Sequence, residues 1–202
     1  MNVTDAWGAW CVVVSVSFVW PQVWRCIRHD TTHGISSFAT LQAIMGASLW
    51  TTYGLIKGNV SVWSTNLSFI VAQILIATVL IRHDRMPRPL IAGFATTIAT
   101  LLGVGLATSG TVIGWMGIIV SGSGMIPVVL HVRQSHSLHG VSVLSWIITV
   151  VSSCSWVTLG FLVDDPIIIY TNYFTVPLML YVIVKSAKWR RANGVPLFVG
   201  AA

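Results

Sequence analysis

Glutamate is absent from this sequence, and charged residues of every kind fill only 8% of its 202 positions. An ordinary soluble domain carries about 25%, so a water-facing globule is excluded. The five acids are all aspartates, Asp5, Asp30, Asp84, Asp164 and Asp165, and each falls in a predicted loop or terminus. Cysteine is scarce too. Cys11, Cys26 and Cys154 are odd in number and lack CxxC spacing, so they indicate neither a disulfide framework nor a metal site, and buried free thiols are expected. No basic residue precedes the first apolar run in MNVTDAW, so that segment lacks the n-region of a cleavable signal peptide and is expected to be retained. No nucleophile–base pair, metal cluster or phosphate loop lies within the apolar runs, which argues against an enzyme and against a cofactor.

What the chain has instead is apolar surface: 55% of its residues are hydrophobic and its mean hydropathy is +0.82. A bilayer core of about 30 Å takes about 20 apolar residues per helical span. That ruler predicts seven spans near residues 7–27, 37–56, 61–81, 89–108, 112–132, 142–162 and 166–185, joined by short connections. The net charge of +6 is a topology signal rather than a nucleic-acid footprint. Ten of the basic residues (Arg25, Arg28, Arg82, Arg85, Arg88, Arg133, Lys185, Lys188, Arg190 and Arg191) follow odd-numbered spans, and Lys57 alone falls on the opposite side. The positive-inside rule then puts the amino terminus outside and the carboxyl terminus in the cytoplasm, as in a multi-pass protein of the cell membrane.

The chain repeats itself at an offset of 106 residues. Pro21 falls on Pro127, Val23 on Val129, His33-Gly34 on His139-Gly140 and Ser36 on Ser142. Trp50 falls on Trp156, Thr52 on Thr158, Gly54 on Gly160 and Thr65-Asn66 on Thr171-Asn172, making ten identities over residues 21–66 without a gap. They concentrate on Pro, Gly, Trp and Asn, whereas hydropathic similarity alone would match Leu with Val. Three spans per copy would invert the second copy. The fourth span, PLIAGFATTIATLLGVGLA, restores its orientation, so the copies are parallel about an axis along the membrane normal. The expected organisation is all-α and transmembrane: two parallel three-helix bundles joined by a linker helix, 3+1+3, over residues 1–86, 87–110 and 111–202.

Trp50 and Asn66 are sixteen residues apart, as are Trp156 and Asn172, with a predicted outer turn inside each interval. At 1.5 Å per residue all four lie ~8–9 Å below the outer helix ends. An indole face covers the C–H surface of a pyranose, and a carboxamide offers donors and an acceptor to neighbouring hydroxyls. Taken singly, such a tryptophan reads as an interfacial anchor and such an asparagine as an interhelical bond. Their twofold recurrence reads as a site for a neutral polyhydroxylated ligand. The missing intramembrane acid argues against proton coupling.

The stretch FVWPQVWRCIRHDTTHGIS places Pro21-Gln22 inside an apolar run about six residues before its end, and Pro127 repeats the position. A proline there removes a helix bond and crowds the preceding turn, so Pro21, Gln22 and Pro127 are candidate hinges. In the second copy Val128 stands where the first has Gln22. Gly34-Ile35-Ser36 and Gly140-Val141-Ser142 read as turns, each ending in a helix-capping serine. At the outer rim, Tyr53 and Lys57 climb one turn at a time from Trp50. Asp164 and Asp165 mark the equivalent rim of the other copy, a candidate outer gate.

This double pattern resembles the PQ-loop (MtN3/saliva) superfamily, and within it the SWEET sugar transporters and their half-size SemiSWEET relatives, over nearly the whole chain. Its carriers are VWPQVWRCIRHDTTHGIS, SLWTTYG and STNLS, then MIPVVLHVRQSHSLHGVS, CSWVTLG and YTNYF. The resemblance implies a uniporter that moves a mono- or disaccharide by alternating access through a pocket between the repeats. It also implies that Trp50, Asn66, Trp156 and Asn172 line that pocket. The expected partners are a neutral sugar and the lipid bilayer, with homo-oligomers left open. Two alternatives stand beside it: a PQ-loop carrier of amino acids or another small metabolite, and a non-transporting receptor of the same topology. Both favour charged groups along the pathway that this chain lacks.

Overall fold

The computed structural model describes residues 2–32, 35–139 and 141–197. They form helices only: α1 (Val3–Arg28), α2 (Ser37–Ile56), α3 (Val60–Arg82), α4 (Arg88–Thr108), α5 (Gly110–Ser123), α6 (Met125–Gln134), α7 (Val143–Leu162) and α8 (Pro166–Ala192). α5 and α6 together make the fifth span, so the predicted 3+1+3 order of seven membrane-length segments is present. Six of the seven, with Gly110–Gln134 taken as one, are long and apolar enough to cross a bilayer. The exception is α2, which has the length but carries Gln42, Ser48, Thr51 and Thr52. These side chains meet neighbouring helices and their own backbone rather than lipid: Gln42 Nε2 donates to Val120 O at 3.1 Å, and the three hydroxyls bond carbonyls four residues back.

The chain packs as two compact units, Gly8–Ser121 and Met1–Trp7 with Gly122–Ala202. In the first, α3 lies against both α2 and α1. Phe18 and Phe69 rings sit 5.8 Å apart, and Trp20 Nε1 donates to Ser68 Oγ at 3.2 Å. α4 flanks α2. Val23, Cys26, Ile76 and Leu80 fill the core at the basic end. In the second unit α8 takes the place of α3, packing on α7 and α6, with Val132 and Val182 at the core. These two stand 106 residues after Cys26 and Ile76.

The internal offset reaches the turns. Ser36 Oγ accepts from Ala39 N at 3.3 Å and Ser142 Oγ from Ser145 N at 3.3 Å, so both predicted caps form. Gly34 and Gly140, the other half of that expectation, lie outside the described residues. At the α2–α3 and α7–α8 turns the left-handed position is Gly58 (φ 64°) in one and Asp164 (φ 51°) in the other. The cap that follows is Asn59 or Asp165, each accepting from a backbone N–H of the next helix. Asp30 (φ 43°) and Asp84 (φ 53°) also occupy left-handed turn positions, where aspartate is among the few side chains tolerated. The acids of this chain are mostly turn formers.

The connections at the basic helix ends are held differently in the two units. Asp30 accepts from Arg82 at 2.8 Å and lies 3.2 Å from His83 Nε2, all three exposed. In the other unit Arg190, only 1% exposed, reaches the carbonyls of His139 (2.9 Å), Val141 (3.1 Å) and Pro196 (2.7 Å). Of the cysteines, Cys11 and Cys26 are buried as expected. Cys154 is exposed, although Ser153 and Ser155 beside it on α7 are buried.

Candidate functional site

In the first unit Trp50 lies six residues before the end of α2, and Asn66 six residues into α3. Gly54 brings these helices together: a Cβ there would stand 2.6 Å from the backbone nitrogen of Trp63. The Trp50 indole is fixed on three sides. Its Nε1 donates to Ser121 Oγ at 3.2 Å. It lies over Gly117, where a Cβ would come within 3.2 Å of the ring. Tyr53 meets it edge-on at 5.6 Å and 84°. The N–H is therefore satisfied by protein. Lys57 Nζ stands 5.9 Å from the Tyr53 ring centre, so Trp50, Tyr53 and Lys57 form a continuous ladder toward the end of α2.

Asn66 donates from Nδ2 to Val62 O at 2.8 Å, a bond back along its own helix. That bond sets the amide's direction and leaves its oxygen and second N–H without a protein partner among the described residues. One donor and one acceptor on a rigid plane suit two neighbouring hydroxyls.

In the second unit Asn172 does the same, with Nδ2 donating to Ile168 O at 2.9 Å. Trp156 is half-buried on α7, six residues before its end, and Asn172 lies six residues into α8. Gly160 is again the point of close approach, 2.6 Å from Ile169 Cγ1 for an added Cβ. The aromatic ladder is not repeated, because Leu159 takes the place of Tyr53. The two candidate rim acids also differ. Asp164 is exposed, whereas Asp165 is 8% exposed and spends Oδ1 on Ile167 N at 3.1 Å as the cap of α8.

The candidate hinges diverge as well. α1 runs unbroken through Pro21 and Gln22, both exposed. Pro127 instead follows a break at Gly124, on the third residue of α6. Proline offers Ser123 O no donor, and Gly122-Ser123-Gly124 resists unwinding less than Val16-Ser17-Phe18, which precedes Pro21. His131 is exposed in the last turn of α6, with Ser135 Oγ 3.3 Å from its ring.

Sequence reasoning missed Gly46, Gly117 and Ser121. A Cβ on Gly46 would meet Ser121 Oγ at 2.9 Å, so these small residues seat α5 against α2 under the indole. The spacing of Gly117 and Ser121, four apart on one helix face, was the available signal.

Residues 108–188 match the family described as "Sugar efflux transporter for intercellular exchange", and residues 4–63 match the PQ loop repeat. One match falls on each copy of the internal pattern. No curated protein matches the chain at significance. A solved eukaryotic SWEET transporter superposes with a TM-score of 0.72 at 17% identity, covering 94% of this chain and 100% of that one. At that identity the similarity is one of fold.

Proposed function

We propose that this chain, whose two halves match the sugar-efflux-transporter and PQ loop repeat family models, is a uniporter, carrying a mono- or disaccharide down its gradient by alternating access. The observation that carries this reading is the twofold carboxamide. Asn66 and Asn172 make the same backward bond, each six residues into its helix, and each keeps one acceptor and one donor available among the described residues. Trp50 and Trp156 supply flat apolar faces for the sugar ring. Binding then needs no formal charge, and hydroxyl-to-amide bonds exchange readily enough for release.

The expected orientation is amino terminus outside and carboxyl terminus in the cytoplasm, from the ten basic residues that follow odd-numbered spans. The expected location is the cell membrane. The repeats are taken as residues 1–86 and 111–202 with the linker helix between. The hinge role falls mainly on the Gly124–Pro127 break, where an inner turn can swing without disturbing the helix before it. Pro21-Gln22 then serves as the matching bend in a continuous rod.

The test is uptake of labelled glucose, sucrose and amino acids into proteoliposomes, with and without imposed gradients. A saccharide should equilibrate across the membrane, and neither a pH gradient nor a sodium gradient should drive it above the external concentration. Accumulation against a gradient would remove the uniport reading, and uptake of amino acids alone would favour the rival carrier.

The outer gate is tested by a single charge. Asp164→Asn keeps a side chain that tolerates φ 51° and removes the negative charge. If the charge takes part in closure, uptake should change by up to about fivefold, the scale of an exposed ion pair worth ~0–1 kcal/mol. Unchanged uptake leaves Asp164 as a turn former only.

A further inference from the structure

α4 is the helix least covered by protein, with only 6% of its apolar window buried and Gly105 its one buried residue. On its side toward α2 lies a groove of about 340 Å³, lined by Met45 of α2 and by Pro89, Leu90, Gly93, Phe94 and Thr97 of α4. Gly93 opens its floor, since a Cβ there meets nothing within 4 Å. Thr97 is the only residue of the lining with a polar side chain, and its hydroxyl donates to Gly93 O at 2.9 Å. The walls therefore make no demand for water. Phe94 is held in place by Phe38, edge-on at 5.2 Å.

The residues that adjoin this groove in sequence are basic. Pro89 and Leu90 sit in the first turn of α4, directly after Arg88. Arg82 ends α3, and the connection that follows it carries Arg85 with one acid, Asp84. Arg82 is already paired with Asp30 at 2.8 Å. Arg85 reaches only the neutral Thr32 Oγ1, at 3.3 Å. Neither Arg85 nor Arg88 has a carboxylate partner among the described residues. Pro87, the cap residue of α4, makes no side-chain cap bond, so the positive end of the helix dipole adds to the field.

We propose that this groove is a binding site for an anionic phospholipid, one acyl chain lying along Gly93 and the phosphate held by Arg88 and Arg85. Charge complementarity selects this occupant over a second copy of the chain. A self-complementary contact would bring the same arginines against each other. A zwitterionic lipid fits the groove equally well and gains less from the arginines.

The test is retention of dioleoyl phosphatidylglycerol against dioleoyl phosphatidylcholine by the purified full chain, read by native mass spectrometry. Gly93→Leu fills the floor with a residue that favours helix. Gly103→Leu is its control, since a Cβ at Gly103 also meets nothing within 4 Å. Phosphatidylglycerol should be retained at least tenfold over phosphatidylcholine. Arg88→Gln should cut that preference roughly fivefold, the worth of about 1 kcal/mol per surface arginine. Gly93→Leu should abolish retention and Gly103→Leu preserve it. Equal retention of the two lipids, or retention unchanged in Gly93→Leu, overturns the proposal. Loss of self-association in Gly93→Leu with lipid retention intact does so too, and reassigns the groove to contact between copies.

Discussion

Asn172→Ala is expected to lower saccharide uptake by roughly 5- to 150-fold, the factor that corresponds to ~1–3 kcal/mol for polar bonds lost in a dry site. Asn66→Ala should match it, because the two amides share one geometry. Neither change should much affect folding. The bond that disappears runs back to Val62 O or Ile168 O, and each of those carbonyls lies inside a helix that supplies its regular partner. A nearly unchanged melting temperature with sharply reduced uptake is therefore the signature of ligand contact. Trp50→Ala is a less clean test. It also empties the space over Gly117 and beside Tyr53, and truncating a packed tryptophan typically costs ~3–5 kcal/mol. Trp50→Phe keeps an aromatic face and gives up the bond to Ser121 together with the indole atoms that lie over Gly117. Wild-type uptake in both asparagine variants would remove Asn66 and Asn172 from the proposed sugar site.

Gly54→Ala is expected to be strongly damaging, because the added methyl would meet backbone. The added carbon would lie 2.6 Å from the Trp63 backbone nitrogen and 3.0 Å from Val62 Cγ1. A backbone atom cannot rotate aside, so α2 and α3 must separate, at a cost of typically ~1–3 kcal/mol or more. At Gly160 the nearest atom is Ile169 Cγ1, also at 2.6 Å, which belongs to a side chain with some freedom to turn. Thermal unfolding in detergent should place Gly54→Ala below Gly160→Ala, and both below wild type. Uptake should fall in the same order, since the separation of α2 and α3 sets the distance from Trp50 to Asn66. An unchanged melting temperature in Gly54→Ala would show that this contact is slacker than its geometry requires.

Much of this architecture was legible before any coordinates, because it is written in quantities a linear reading can measure. The apolar runs gave the spans, and the 106-residue offset proved deep enough to repeat serine caps, left-handed turn positions and the backward bonds of the asparagines. The break in the fifth span was not found. A hydropathy ruler counts Gly122-Ser123-Gly124 as continuous with its neighbours, and the weakness shows only when Pro127 is read as withholding the donor that Ser123 O needs. Asp165, a candidate rim charge, also stands directly before Pro166, a place that fits a helix cap followed by proline at the first helical position. The Ser121 bond to Trp50 joins residues 71 apart. It depends on which helices become neighbours, which neither periodicity nor internal repetition records.

Arg190 has a practical consequence for anyone who wishes to alter this molecule. It grips the segment between α6 and α7 through the main-chain oxygens of His139 and Val141, atoms that every amino acid provides. The side chains of His136 and Ser137 are exposed, so that stretch is the natural place to graft an epitope or a fluorophore. The corresponding stretch after α1 offers less freedom, because part of its anchorage runs through side chains, the Asp30 carboxylate to Arg82 and the Thr32 hydroxyl to Arg85.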